Sequence, residues 1–369
     1  MENQTTHKKG WETIAIRTIL WTYIVMCLVI AGLNWGYLPR ASAKTAALIT
    51  RIWQIYENWV KAAFIFACGF LTLRIRSKKQ RITMRRMNII GLSLTALALH
   101  IILPFLLKNP DLYFFAMPLP WNTTPLQAGI EQSAFYKTHV LSLGATMIRW
   151  ALLFFWVYSA CILLGTLIFG RRLQCSSLCL FNGFAAEVFD PAIPLIGKKG
   201  KGKPAPLAKK TLARFAFLRW LFFALSLVFS LYWILLQGGI PWTTWMNLMQ
   251  KIEVYKYLVT ELLMAMFFWV AFIGRGYCLY CPLGTTLALV SKVAGQKIKT
   301  DNKECIQCGR CSKACPVSID VQSFAKEKKA VQDIRCVGCA HCVDACPTET
   351  LSYETHCISL VKKYKKSNV

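Results

Sequence analysis

Six stretches of this chain stay apolar for longer than a soluble core requires, and that restricts the fold more than any other feature. A spanning helix needs roughly 20 mostly apolar residues. Residues 13–33, 59–73, 87–107, 145–170, 215–236 and 257–274 each read as such a helix, the second extending backwards through 51–56. The first is followed by further spans and by no small-residue cleavage site, so it reads as an anchor and not as a removable leader. Composition agrees: 55% of residues are hydrophobic and 17% charged, against about a quarter charged in ordinary soluble domains. The chain is basic, with 44 Lys+Arg against 17 Asp+Glu and a net charge of +27. The basic residues fall between apolar stretches and do not line a folded basic face, which argues against nucleic acid.

Their distribution predicts orientation. Between the second and third spans stand Arg74, Arg76, Lys78, Lys79, Arg81, Arg85 and Arg86. Between the fourth and fifth stand Arg171, Arg172, Lys198, Lys199, Lys201, Lys203, Lys209, Lys210 and Arg214. The alternate loops are poor in Lys and Arg, so the rule for short loops puts both termini in the cytoplasm and the sequon Asn122-Thr123-Thr124 outside. The expected location is the cell inner membrane. The Gly, Pro and Lys-rich stretch 191–210 reads as a solvated linker near anionic headgroups. Its Gly197, Gly200 and Gly202 neither follow a strand nor open a helix, so a phosphate loop is excluded on context.

The chain holds 16 Cys, eight of them between Cys305 and Cys346. They form two runs of C-x2-C-x2-C-x3-C-P, starting at Cys305 and Cys336, the spacing of bacterial-type ferredoxins. The fourth Cys of each such run ligates the other cluster. The predicted ligand sets are Cys305, Cys308, Cys311 and Cys346 for one [4Fe-4S] cluster, and Cys336, Cys339, Cys342 and Cys315 for the second. Zinc also takes C-x2-C pairs, but it does not account for a doubled four-cysteine run with Pro316 and Pro347 at matched places. Such a domain offers no catalytic base or nucleophile; it transfers single electrons.

A second pattern is an internal repeat. Residues 168–187 and 272–290 each run from an apolar helix through Gly-Arg to two cysteines and a Gly-containing turn. The pairs are Cys175 with Cys179 and Cys278 with Cys281. Facing each other, they supply the four thiolates that a further iron–sulfur cluster requires; redox dithiols and buried structural cysteines are the other readings. Cys27, Cys68 and Cys161 lie in spans and read as small core hydrophobes, and Cys357 receives no role.

Charged groups at membrane depth are costly and tend to serve function. Glu261 and His100 each lie about 20 Å into a span at 1.5 Å per residue. They could form a quinone and proton site or a structural hydrogen-bonded pair. Both stand nearer the outer face, whereas the cysteines stand at the cytoplasmic face, a gap that electron transfer has to cross. His139 and Arg149 read as interface anchors.

The six spans, the repeated Gly-Arg-to-cysteine segment and the double cluster motif resemble the NapH/NosR/MauN-type membrane-bound polyferredoxins. The motifs that carry the likeness run from 145 to 353. In that family the repeated motif is usually C-x3-C-P in both copies. Here the first copy has Leu180 in place of proline, and the second, with Pro282, is one residue shorter. The resemblance implies electron exchange between the quinone pool and a redox enzyme, or an accessory reductase that matures another metalloenzyme. The expected fold is a polytopic α-helical membrane domain over 1–298, a small α+β 2[4Fe-4S] ferredoxin domain over 299–355 and a basic tail over 356–369. Expected partners are membrane lipid, quinone or a membrane redox subunit, and further subunits of a redox complex.

Overall fold

The computed structural model describes residues 10–196, 207–241, 243–301 and 304–367. Six helices are long and apolar enough to cross a membrane: Trp11–Arg40, Ala43–Ser77, Thr83–Leu106, Ala145–Phe169, Lys209–Gln237 and Thr243–Ala271. Their outward faces carry large apolar side chains such as Phe70, Leu94, Trp150, Leu164, Phe217 and Leu231, all exposed. An apolar belt of this extent is stable against lipid and not against water. The chain is a multi-pass membrane protein. Cys27 and Cys68 are buried as expected, whereas Cys161 is on an exposed face of the fourth span and belongs to no core.

Five spans are longer than the apolar cores read from the sequence, the second and sixth by the most. The second begins at Ala43 and carries Glu57 and Lys61, which lie one turn apart and pair at 2.8 Å. Paired charges of this kind can enter an apolar helix because each neutralises the other. The sixth begins at Thr243 and carries Glu253, Lys256 and Glu261.

The spans are not uniformly α-helical. Widened π turns occupy Gly32–Tyr37, Tyr56–Val60, Leu97–Ile102 and Tyr257–Leu263, and a fifth, Leu173–Leu178, follows the fourth span. Such turns are rare and concentrate at functional sites.

The ferredoxin domain closes with a two-stranded antiparallel sheet, β1 (Lys297–Thr300) on β2 (Leu351–Glu354), in the register Lys297↔Glu354 to Thr300↔Leu351. The domain thus begins two residues earlier than the spacing indicates. Its end is tied to the membrane domain, where Tyr353 and Thr355 donate to the carbonyls of Phe169 and Ile168 at 2.7 and 2.8 Å. The segment read as a basic tail is a helix, His356–Ser367. Lys198, Lys199, Lys201, Lys203 and the three glycines of the linker, and the side chain of His139, lie outside the described residues.

The basic loops do more than mark a side. Arg85 and Arg171 are buried, and Arg81, Arg85, Arg171 and Arg172 all reach the ferredoxin domain or its neighbouring cysteines. Asp344 of that domain accepts from the backbone N–H groups of Met84 and Arg85 at 3.0 and 2.9 Å. It caps the third span, whose own preceding residue, Ile82, offers no capping side chain.

Candidate iron–sulfur centres and a polar membrane cavity

The two ferredoxin runs adopt one backbone twice. Gln307 and Gly338 follow their first cysteine by two residues, with φ of 54° and 69°. Gly309 and Ala340 follow by four, with φ of 69° and 58°. Left-handed backbone costs a non-glycine residue roughly 1–2 kcal/mol, so Gln307 and Ala340 hold it against their preference. Alternating right- and left-handed residues turn successive N–H groups inward, a cradle suited to an anionic centre. Cys305, Cys308, Cys311 and Cys346 surround one small cavity, with Gly309, Pro347 and Thr348 completing its wall. Cys315 lies within electrostatic reach of Cys336 and Cys339, and Cys342 adjoins all three. Burial pushes the Cys315 thiol up to about 12 and Cys336 up to about 11, so both give up a proton only to a metal. Among the described residues no three Cys, His, Asp or Glu side chains crowd closely enough to hold one ion. Four thiols spread around a cavity suit a four-iron cube, whose ligands each take a different iron.

The repeat in the membrane domain brings all four of its cysteines together. Cys175, Cys179, Cys278 and Cys281 lie within electrostatic reach of one another. The Gly-Arg of each copy serves the other copy. Arg171 donates to the carbonyl of Cys278 at 3.4 Å, and Arg275 donates to the carbonyl of Cys175 at 2.7 Å. Arg171 also donates to the Cys175 sulfur at 3.2 Å, and Asn182 to the Cys278 sulfur at 3.3 Å. The glycines of the two turns are explained by crowding. A Cβ on Gly183 would stand 2.8 Å from the Cys175 carbonyl, and one on Gly284 would press on the Arg171 guanidinium. Pro282 opens the helix Pro282–Val293, and the Cys281 sulfur accepts from Gly284 N–H at 3.4 Å.

Arg171 is 1% exposed, and among the described residues it pairs with no carboxylate. A buried guanidinium needs a compensating anion, and the groups facing it are Cys175, Cys278 and Cys281. Thiolates of a bound cluster fit that demand; neutral structural thiols do not. Arg275, fully buried, pairs with Glu187 at 2.6 Å, and His341 donates to the other oxygen of Glu187 at 2.7 Å. Burial would push the Glu187 carboxyl up, but His341, Arg275 and Arg85 outweigh it and hold it near 2.

The groups of cysteines form a series. Ser176, beside Cys175, donates to the carbonyl of Val337 at 3.3 Å, inside the run from Cys336. Asn88 donates to the Cys339 carbonyl at 3.0 Å. Arg275 lies within electrostatic reach of both Cys278 and Cys339. The Cys336 run therefore packs on the membrane cysteines, while the Cys305 run faces away, with Cys308 exposed.

On the other side of the membrane cysteines is a cavity of about 560 Å³, lined by residues from all five π turns, among them Trp35, Glu57, His100, Gln174 and Glu261. Glu261 and His100 share this cavity without touching by hydrogen bond. The His100 ring bonds the Glu57 carbonyl at 2.6 Å and stacks on Tyr113. Glu261 accepts from Trp121 at 3.0 Å and pairs with Lys256 at 3.4 Å. Gln174, Leu178, Leu180 and Phe181, flanking Cys175 and Cys179, form its inner wall. The gap expected between depth and cysteines is closed because the turn after the fourth span folds back along the third. Gly91 leaves no room there between itself and Ser177.

Arg171, Glu187, Arg275, His341, Glu57 and Glu253 were not singled out as site residues by spacing. The Gly-Arg pair in each repeat was the visible signal for two of them.

Residues 297–347 match the family described as 4Fe-4S dicluster domain. The chain is 39% identical over 67 residues to the protein named "Putative electron transport protein YccM" of Escherichia coli (strain K12), covering 18% of each chain. It is 27% identical over 83 residues to an uncharacterized protein of Methanocaldococcus jannaschii, covering 22% of this chain and 34% of that one. The matches thus span about a third or less of either relative. No solved structure matches the chain. What the likeness establishes is a 4Fe-4S dicluster domain on a multi-pass membrane bundle, with iron–sulfur electron transfer as its chemistry.

Proposed function

We propose that this chain is an integral membrane electron-transfer subunit that passes single electrons between a quinone in the bundle and an acceptor or donor at the ferredoxin domain. The observation that carries the reading is the unbroken order of cavity, membrane cysteines, Cys336 run and Cys305 run. When bound, iron–sulfur clusters supply one-electron chemistry at potentials that their surroundings set. Cys305, Cys308, Cys311 and Cys346 are assigned to one [4Fe-4S] cluster, Cys336, Cys339, Cys342 and Cys315 to the second, and Cys175, Cys179, Cys278 and Cys281 to a third. Arg171 and Arg275 hold the third site's anionic charge in place and orient its turns.

Glu261 and His100 give the cavity polar anchors within an apolar and aromatic wall, the pattern of a small-molecule site. Trp121 and Lys256 fix the Glu261 carboxylate. The exposed Cys308 edge is where a further subunit would exchange electrons. Lys and Arg crowd on the ferredoxin side of the bundle, which supports a cytoplasmic ferredoxin domain and an inner-membrane location.

The test is iron and acid-labile sulfide on anaerobically purified protein, with EPR after reduction. Three cubanes require about twelve iron per chain. A Cys175/Cys179/Cys278/Cys281→Ser variant is expected to keep about eight, with the two ferredoxin signals intact. About eight iron in both proteins would overturn the third cluster. Separately, anaerobic duroquinol is expected to reduce the wild-type clusters, or duroquinone to reoxidise them once reduced; failure of both would overturn the quinone reading.

A further inference from the structure

The cavity contains three buried carboxylates, and they are not equivalent. Glu57 pairs with Lys61 at 2.8 Å and Glu261 with Lys256 at 3.4 Å. Glu253 forms no ion pair among the described residues and is held by neutral donors, the Thr123 hydroxyl and the Gln127 amide, the latter at 2.7 Å. The charged groups facing it are Lys256 and Glu261. Glu253 is therefore the one carboxyl of the three that can gain or lose a proton without breaking a salt bridge.

Its position gives that freedom a direction. Thr123 and Gln127 belong to the connection between the third and fourth spans, on the face opposite the ferredoxin domain. Gln127 in turn accepts from Gln250 at 3.1 Å, extending the polar chain. At the inner end, Lys256 touches Glu261 and reaches the Trp121 carbonyl at 3.5 Å. Polar groups thus run from Glu261 through Lys256 and Trp121 to Thr123, Glu253, Gln127 and Gln250. In the other direction, beyond Gln174 and Leu178, stand the membrane cysteines, the Arg171 and Arg275 guanidiniums, and Glu187, whose carboxylate is tied up by Arg275 and His341 under the packed ferredoxin domain.

We propose that Glu253 relays protons between the cavity and the face opposite the ferredoxin domain, so that electrons and protons of one quinol leave on opposite sides. This rests on the quinone reading. A quinol becoming quinone releases two electrons and two protons. The electrons go singly toward the cysteines and on to a one-electron acceptor at the ferredoxin domain. The protons go to the carboxylates and out by Glu253. Run in reverse, the same path draws protons from that face. Turnover is electrogenic in either direction.

The test uses full-length protein in sealed vesicles with pyranine trapped inside, duroquinol as donor and impermeant ferricyanide outside. Only molecules with the ferredoxin domain outward can pass electrons to ferricyanide. Direct oxidation of duroquinol, measured in protein-free vesicles, releases its protons outside. Wild type is expected to acidify the lumen. Glu253→Gln is expected to slow that acidification by at least ~10-fold, as for loss of a positioned proton-transfer group, with iron content and reduced EPR signals unchanged. Gln127→Leu, which interrupts the chain beside the carboxyl, is expected to slow it in the same sense. Wild-type acidification in both variants, or protons appearing only outside in wild type, would overturn the relay and leave the quinone reading standing. Failure of the wild-type clusters to exchange electrons with either duroquinol or duroquinone would remove both.

Discussion

The two groups of cysteines solve the same problem with different materials. The ferredoxin domain holds its eight with backbone: closely spaced ligands, matched left-handed residues and a short sheet closing the ends. The membrane domain holds its four with side chains, two buried guanidiniums exchanged between segments about a hundred residues apart. All eight ligands of the first arrangement fall within 51 matched residues, and the second exists only when the whole bundle has formed. A local site tolerates change around it, whereas a distributed one transmits change into the fold.

That contrast can be broken by substitution. The largest effect is expected from Glu187→Leu, which leaves Arg275 buried without its carboxylate. Breaking a buried pair this way costs about 3–5 kcal/mol; thermal unfolding in detergent and iron content should both fall. A stable protein with full iron would mean that the guanidinium relies on the cysteines alone. Gly284→Val comes next, since its side chain would displace Arg171. Overpacking costs typically 1–3 kcal/mol, and the iron lost should be that of the membrane site, with both ferredoxin EPR signals kept. Asp344→Ala removes two helix-capping bonds and should cost about 1–2 kcal/mol, seen as faster proteolysis between the two domains. Arg81→Ala, which breaks an ion pair to the exposed Glu349, should change stability by less than about 1 kcal/mol. If Arg81→Ala proves as damaging as Asp344→Ala, docking depends on the rim of the contact and not on its buried centre.

The sequence was legible wherever the information was local. The six spans follow from runs of apolar residues, and the gathering of Cys305, Cys308, Cys311 and Cys346 around one cavity follows from fixed spacing. Glu57 and Lys61 made the second span read short, although their separation of four residues is the signal that they neutralise each other within it. The repeat was visible as a pattern, but the exchange of Arg171 and Arg275 between its copies was not, because nothing in either copy states which partner its arginine will meet. The depth arithmetic for Glu261 and His100 assumed straight helices and a turn lying at the membrane surface. A turn folded back into the bundle and five π segments changed what those residues face. Glu253 had no signal beyond being a carboxylate in a span that begins earlier than its apolar core.

The capping of the third span by Asp344 has a consequence for biosynthesis. The span leaves the ribosome and enters the bilayer some 260 residues before its cap is made. Until then its first turn presents unbonded N–H groups at the membrane edge. The cap arrives only with a folded ferredoxin domain, since Asp344 stands two residues after Cys342 and two before Cys346. Delivery of iron and sulfide to the nascent protein is thereby linked to the last step of membrane assembly, and a chain starved of iron would present quality-control proteases with an unfinished helix end.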